Sequence, residues 1–522
     1  MAQLAPQERV AWHRQAAEAI EAVYPDEPAQ AGALVYHWQM VGDEARERHY
    51  ARQAGEYARR QFLNAEAIEY LSRALALTAV TDLEQQYGLL QMREQIYHLQ
   101  GERAKQLQDI TALRALAEQM MQGGKEDKRA EVALRLAHYA EVTGDYKTAV
   151  LSARQALEQA QASQDVMQEA ASYLALGRVL IRQGNYQEAH TYLNSSLRLA
   201  QAHCLQQLEA DTLRFLGVAA VDLSQYEISR DYYHKALALY RQIKDPQGES
   251  AVLNNLAIVV YSIGDLSESF AFWESAQKIY DAIGDREGRG RILTNLSSLH
   301  IFLGDYAAAK TYGHEALHIC REINVRMGEF FNWNNLSLVA HFMGDLPLAE
   351  QYGLAALQIA EDIGNTLVQA YALQDIGFIL TQHNSLQKAV PFLQSALEQY
   401  KKLEQANRLL ETRATLAEIA LRQQDLAKAE KEIAPVLEHI LAEKSLEGVG
   451  RLFRIYLVCY EVTRAIDNDR AQQILSKAYH LLHERASQIS DKKQRQSFLE
   501  NVPTNRQIIQ AYKLARDHNL WR

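Results

Sequence analysis

A turn signal returns every 40 residues, without a slip, between residues 130 and 450 of this 522-residue chain. Gly144-Asp145-Tyr146 recurs as Gly184-Asn185-Tyr186, Gly264-Asp265-Leu266, Gly304-Asp305-Tyr306 and Gly344-Asp345-Leu346. Weaker copies stand in phase at Ser224-Gln225-Tyr226, Asn384-Ser385-Leu386 and Gln424-Asp425-Leu426. Seven residues before each turn is a small residue: Ala137, Gly177, Gly217, Ala257, Ser297, Ser337, Gly377 and Ala417. A leucine or isoleucine precedes every one of them. Five residues after the turn come Ala149, Ala189, Ser229, Ser269, Ala309, Ala349, Ala389 and Ala429. Seven further on stand Ala156, Ser196, Ala236, Ala276, Ala316, Ala356 and Ala396, with Val436 the one departure.

Apolar residues at helical spacing flank each turn, so a unit reads as helix, turn, helix. Small residues at fixed places let two helix backbones approach, while the adjacent leucine fills the seam. A single hairpin cannot bury its apolar face, so the units must stack. The turn glycine supplies a left-handed stop, and the Asp or Asn after it caps the next helix. The order of small and large residues resembles the tetratricopeptide repeat, whose units run about 34 residues. Six more residues per unit lengthen the helices by about one turn in total. The expected fold is all-α: a right-handed superhelical solenoid of helix-turn-helix units, roughly eleven or twelve hairpins in all.

Three regions follow. Residues 1–126 hold degenerate helical repeats, 127–449 the eight regular ones, and 450–522 a divergent ninth repeat with capping helices. Gly42-Asp43 and Gly101-Glu102 mark turns in the first region, and Gly123-Gly124 a hinge. Asp467-Asn468 and Val502-Pro503 break the third, and a final helix is expected to end in Trp521. Pro25-Asp26-Glu27-Pro28 splits the first two helices.

The formal charge of −10 is spread along the chain, which argues against nucleic acid or anionic membrane as a direct partner. No run of about 18 apolar residues spans a membrane. Three widely spaced cysteines, Cys204, Cys320 and Cys459, form no disulfide framework, as in a cytoplasmic protein. Cys320 and Cys459 sit at helix positions consistent with burial, and Cys204 near a repeat junction.

The stretches RVAWHRQAAEAIEAVYPDEPAQ, MREQIYHLQGERAKQLQDITALRALAEQM and SFLENVPTNRQIIQAY resemble the C-terminal sensor half of large bacterial signal-transduction NTPases and of regulators like the maltose-type activator. The resemblance implies sensing or partner binding. No GxxxxGK[ST] string occurs, and Gly123-Gly124-Lys125-Glu126 lacks both the upstream glycine and the Ser/Thr, so nucleotide hydrolysis is not implied. The chain is either a free-standing helical module or part of a larger ATPase or transcriptional regulator.

His314-Glu315-Ala316-Leu317-His318 matches the zinc-hydrolase pattern HExxH. Ala316 is also its repeat's small packing residue, and no third ligand is placed by sequence. The match reads as coincidence, so no catalytic residue, metal or cofactor is assigned.

The polar set on the first helices is more telling. Asn255, Asn295 and Asn335 stand nine residues before three successive turns, continued by Asp375, with Asn254 and Asn334 beside two of them. Asn costs roughly 0.5 kcal/mol against Ala inside a helix, so its recurrence needs a reason. In tetratricopeptide arrays this offset points into the concave groove, where an amide can both donate to and accept from a peptide backbone. Arg178, Arg214 and Arg291 flank the set as carboxylate or phosphate clamps. Phe215, Tyr261, Phe302, Phe331, Phe342, Tyr371 and Phe378 would line side-chain pockets. The competing account is an internal hydrogen-bond ladder between repeats, with the aromatics as core. The expected function is a non-catalytic scaffold or sensor that holds a protein or peptide, or a small effector, on the concave face.

Overall fold

The computed structural model describes residues 5–25, 27–223, 225–442, 444, 446 and 449–517. Asp26, Ser224 and Trp521, singled out above, lie outside the described residues. Among the described residues there are 26 α-helices, one short 3-10 turn and no strand. They pair into one more hairpin than the upper expectation. The extra pair lies at the end of the chain, where Lys492–Glu500 and Pro503–Asp517 are separate helices joined at Val502.

The left-handed stops are denser than the sequence suggested. Within hairpins they fall at Gly144, Gly184, Gly264, Gly304, Gly344, Asn384 and Gln424, all at positive φ. Between hairpins they fall, again 40 apart, at Gln164, Cys204, Lys244, Gly284, Asn324, Gly364 and Glu404. A bulky residue in this conformation costs energy, which the helix-ending hydrogen bonds offset. Asn185 N–H donates to the Leu180 carbonyl at 2.9 Å, Asp245 to Tyr240 at 2.9 Å and Asp425 to Ala420 at 2.9 Å. The aspartate caps form as expected, whereas Asn185 makes no side-chain cap and donates instead from Nδ2 to Glu188 Oε2 at 2.7 Å. Asp145, Asp305, Asp345 and Asp425 each accept from the backbone N–H three residues on.

Every small residue of the three series is buried. The serines among them add cross-hairpin bonds: Ser229 Oγ to the Gly217 carbonyl at 2.9 Å, Ser297 to Ala309 at 2.8 Å and Ser337 to Ala349 at 2.6 Å. In these three repeats a hydroxyl thus fits where only a methyl-sized group has room, with its polar atoms satisfied, whereas the buried Ser269 Oγ finds no hydrogen-bond partner among the described residues.

The chain divides into two compact units. The first comprises residues 1–175 with 280–287. Leu71, Leu113 and Trp38 are buried in its core, and Arg73–Glu47 and Arg93–Asp109 are two-bond ion pairs between its helices. Its outlying segment is held by Asn64, which donates to the Ile283 carbonyl at 3.3 Å, and by Arg103–Glu287 at 3.2 Å.

The second unit comprises residues 176–279 and 288–522. Inside it, repeats far apart in sequence touch. Asn365 caps its own helix through Val368 and donates to the Arg182 carbonyl, and Gln405, one repeat later, donates to the Asp222 carbonyl at 2.7 Å. Both bonds span 183 residues, so the array meets itself again after about four and a half units.

Asp222 makes this joint sensitive to pH. Burial pushes its carboxyl up to about 7, against the pull of Arg182 and a hydrogen bond with Tyr186. The folded state therefore holds a proton that the unfolded chain releases near pH 4. Stability from this group is complete below pH 4 and falls as pH rises to about 7. Urea midpoints at pH 4.5 and 7.5 should show Asp222→Asn gaining on the wild type as pH rises. A constant difference between the two proteins would contradict the shift.

Candidate functional site

In the second unit the helices Pro246–Ile263, Arg286–Phe302, Arg326–Phe342 and Thr366–Gln382 are the first helices of successive repeats. The structure brings the predicted amides together on them. Asn295 Nδ2 donates to Asn254 Oδ1 at 2.7 Å, and Asn335 Nδ2 donates to Ser298 Oγ at 2.8 Å and to the Thr294 carbonyl at 3.2 Å. Asn334 Nδ2 donates to Asp375 Oδ2 at 2.5 Å. Each bond joins one repeat to its neighbour. Asn254 and Asn335 are buried, whereas Asn255, Asn295, Asn334 and Asp375 are half-buried. Asn332, buried beside them and donating to Thr294 Oγ1 at 2.9 Å, extends the ladder.

Asp375, the acceptor for Asn334, also lines a cavity of about 300 Å³. Tyr261, Phe302, Phe342 and Phe378 line it from the first helices, Phe453 and Phe498 from the C-terminal segment. Tyr261 meets Phe302 edge-on at 5.8 Å, and Phe302 stacks on Phe498 at 5.0 Å. Of the other aromatics, Phe331 is exposed and Tyr371 lies 4.8 Å from the Arg408 guanidinium carbon.

The C-terminal segment reaches this face through arginines. Arg451 donates from Nη1 to Glu411 Oε1 at 2.9 Å and from Nη2 to Asp375, with its guanidinium carbon 4.1 Å from the Phe378 ring centre. Gly450 N–H donates to Glu411 Oε2 at 2.9 Å. Arg454 forms a fork with Glu418, its Nε at 3.0 Å. Next to them, burial pushes His341 down to about 4, helped by His383 and the two arginines, so its imidazole is neutral at pH 7. Sequence reasoning missed Glu411, Glu418, Arg451 and Arg454. The available signal was positional: Glu411 stands three repeats after Arg291, and Glu418 one repeat after Phe378.

The three predicted arginines gather on the same face at its N-terminal end. The guanidinium carbons of Arg178 and Arg214 lie 4.9 and 4.2 Å from the Phe215 ring centre. Arg214 also donates to the Tyr240 hydroxyl at 3.4 Å and feels the like charge of Arg291, which is exposed.

Ala316 is fully buried, while His314, Glu315 and His318 point outward. Glu315 accepts from Arg289 at 2.8 Å, and His318 pairs with Glu322 at 3.4 Å. Among the described residues no cluster of three or more His, Cys, Asp or Glu is placed to hold a metal. Cys320 and Cys459 are buried and Cys204 is exposed; all three are free thiols. Among the described residues no helix is long and apolar enough to cross a membrane.

The sequence profile of the tetratricopeptide repeat matches residues 128–202, 208–282, 249–322 and 330–402, together just over half of the chain. Among curated proteins no sequence match is found. Similar solved structures include a Rap protein complexed with competence and sporulation factor, at 17% identity over 74% of this chain and 99% of that one, with a TM-score of 0.44. The apo quorum sensor NprR from B. thuringiensis matches at 15% identity over 66% and 99%, TM-score 0.45. NprR in complex with its cognate peptide NprX matches at 13% over 69% and 100%, TM-score 0.48. At such scores the likeness carries no function across to this chain.

Proposed function

Because the chain belongs to the tetratricopeptide-repeat family, we propose that it is a recognition module without catalysis of its own, holding an extended peptide or protein segment along the first helices of the second unit. The observation that carries this reading is the row of half-buried amides, Asn255, Asn295 and Asn334, linked to an aromatic-walled cavity through Asp375, which accepts from Asn334 and lines it. An amide has two donors and an acceptor with two lone pairs, so one inter-repeat bond leaves capacity for a guest backbone. The spacing of first helices, roughly 10 Å, matches about three residues of extended peptide. Arg178, Arg214 and Arg291 would take a carboxylate or phosphate at one end, and the cavity a bulky apolar side chain. The resemblance of three stretches of the chain to sensor regions supports a role in bacterial signal transduction, and its three free thiols suit a reducing cytoplasm.

The test is selection of binding peptides from a random displayed library, followed by Asn255→Ala with Asn295→Ala. Two lost amide bonds at about 1 kcal/mol each should weaken the selected peptides at least tenfold, with melting unchanged within a few degrees. Undiminished affinity in the folded double variant would defeat the groove assignment.

A further inference from the structure

We propose that Asp375, Glu411 and Phe378 form an arginine-recognition subsite, that the chain's own Arg451 fills it, and that an arginine-bearing segment of a partner protein exchanges with Arg451. The three residues come from two consecutive first helices, Thr366–Gln382 and Ala406–Arg422. They present what a guanidinium needs: a carboxylate on each side and an aromatic face beneath, 4.1 Å from the guanidinium carbon. Glu411 is 2% exposed, and its second oxygen takes the Gly450 backbone N–H at 2.9 Å, so both the side chain and the main chain of the occupant are read. A lysine has no planar fork to match this arrangement. Arg454, three residues after Arg451, forks onto Glu418, which gives the segment a second anchor.

Two observations make this a subsite of the recognition face rather than only a tertiary contact. Asp375 occupies the repeat position of Asn255, Asn295 and Asn335, and it accepts from Asn334. A guest seated on the amides would thus meet the arginine site through a shared residue. The aromatic cavity of about 300 Å³ also borders Arg451 and Leu452, leaving room for the side chains that flank an arginine on another chain. The occupant comes from outside the regular repeats: Arg451 stands just before the helix Leu452–Arg464, beyond the last repeat helix, which ends at Leu441. Exchange does not depend on the peptide reading of Asn255 and Asn295. Their double alanine variant leaves Asp375, Glu411 and Phe378 intact.

The experiment uses full-length Arg451→Ala and the synthetic peptide acetyl-Val-Gly-Arg-Leu-Phe-Arg-Ile-amide, followed by titration calorimetry. The vacated subsite should bind the peptide at least tenfold more tightly than the wild type, where the internal arginine competes. Lysines in place of both peptide arginines should abolish that gain. Adding Asp375→Asn and Glu411→Gln to Arg451→Ala should do the same. Arg451→Lys serves as a second variant that keeps a cation in place, and it too should bind the peptide better than the wild type. Equal affinity of the wild type, Arg451→Ala and Arg451→Lys, or binding that survives loss of both carboxylates, overturns the proposal.

Discussion

Glu418→Ala is expected to destabilise the second unit by about 3–5 kcal/mol, the range for removing one partner of a buried ion pair. Glu418 is 2% exposed and accepts from three side chains. Arg454 forks onto it, Arg422 Nη2 donates at 2.5 Å and Gln382 Nε2 at 2.9 Å. Alanine would strip the largely buried Arg454 of its forked partner and the partly exposed Arg422 of a carboxylate, leaving Glu461 to answer both charges. The loss is dominated by that stranded charge rather than by the worth of the bridge itself. Replacing Glu418, Arg422 and Arg454 together by leucine or methionine should therefore cost much less than the single change. Glu350→Ala is the surface control. Its pair with Lys388 is 3.9 Å long, with the lysine side chain 71% exposed, and should be worth well under 1 kcal/mol. Urea midpoints of the four proteins check the order. A single variant no worse than the surface control would show that the hydrogen-bonded ion pairs of Glu418 add no net stability.

The repeats were legible because their signal is short-range and redundant. A small residue that must admit a neighbouring helix is under the same constraint in each copy, so Ala149, Ala189 and Ala309 recur in phase and all are fully buried. The turns between hairpins were harder to see. Gln164, Lys244 and Glu404 adopt left-handed backbone without glycine, because the helix-ending bonds hold them there. The amide ladder was half legible. Its period picked out Asn255, Asn295, Asn335 and Asp375, with Asn254 and Asn334 beside two of them, but not which amide bonds which neighbour. That depends on the rotation between stacked helices. The arginine subsite was not read at all. Arg451 is 76 residues from Asp375, and no periodicity links a divergent segment to a regular array. The joints from Asn365 to Arg182 and from Gln405 to Asp222 escaped because both partners lie within the regular array, and its period does not say how many repeats bring it back upon itself.

Gly217→Ala gives the second large effect, and the array's own copies explain its sign. A methyl at Gly217 would lie 2.4 Å from Tyr233 Cε1 and 2.7 Å from Cδ1, and that ring is 2% exposed with nowhere to retreat. Overpacking of this kind costs about 1–3 kcal/mol, more than the roughly 1 kcal/mol that alanine gains over glycine in a helix. Gly88, inside Leu83–Gln100, has nothing within 4 Å of a new methyl, so Gly88→Ala should stabilise by about 1 kcal/mol. The repeats solve the same contact in different ways. Gly177 and Gly377 face Leu193 and Leu393, and Ser297 and Ser337 face Gly313 and Gly353, small against large or small against small. Ala137 and Ala153 hold the equivalent places in another unit. Gly217→Ala with Tyr233→Ala recreates that alanine pair. The tyrosine deletion alone should cost about 3–5 kcal/mol. In its background, however, the glycine change should cost nothing, or even gain. A double-mutant cycle by urea denaturation reads this directly. The same penalty for Gly217→Ala with and without the ring would show that the glycine answers to backbone conformation, not to the approach of Tyr233.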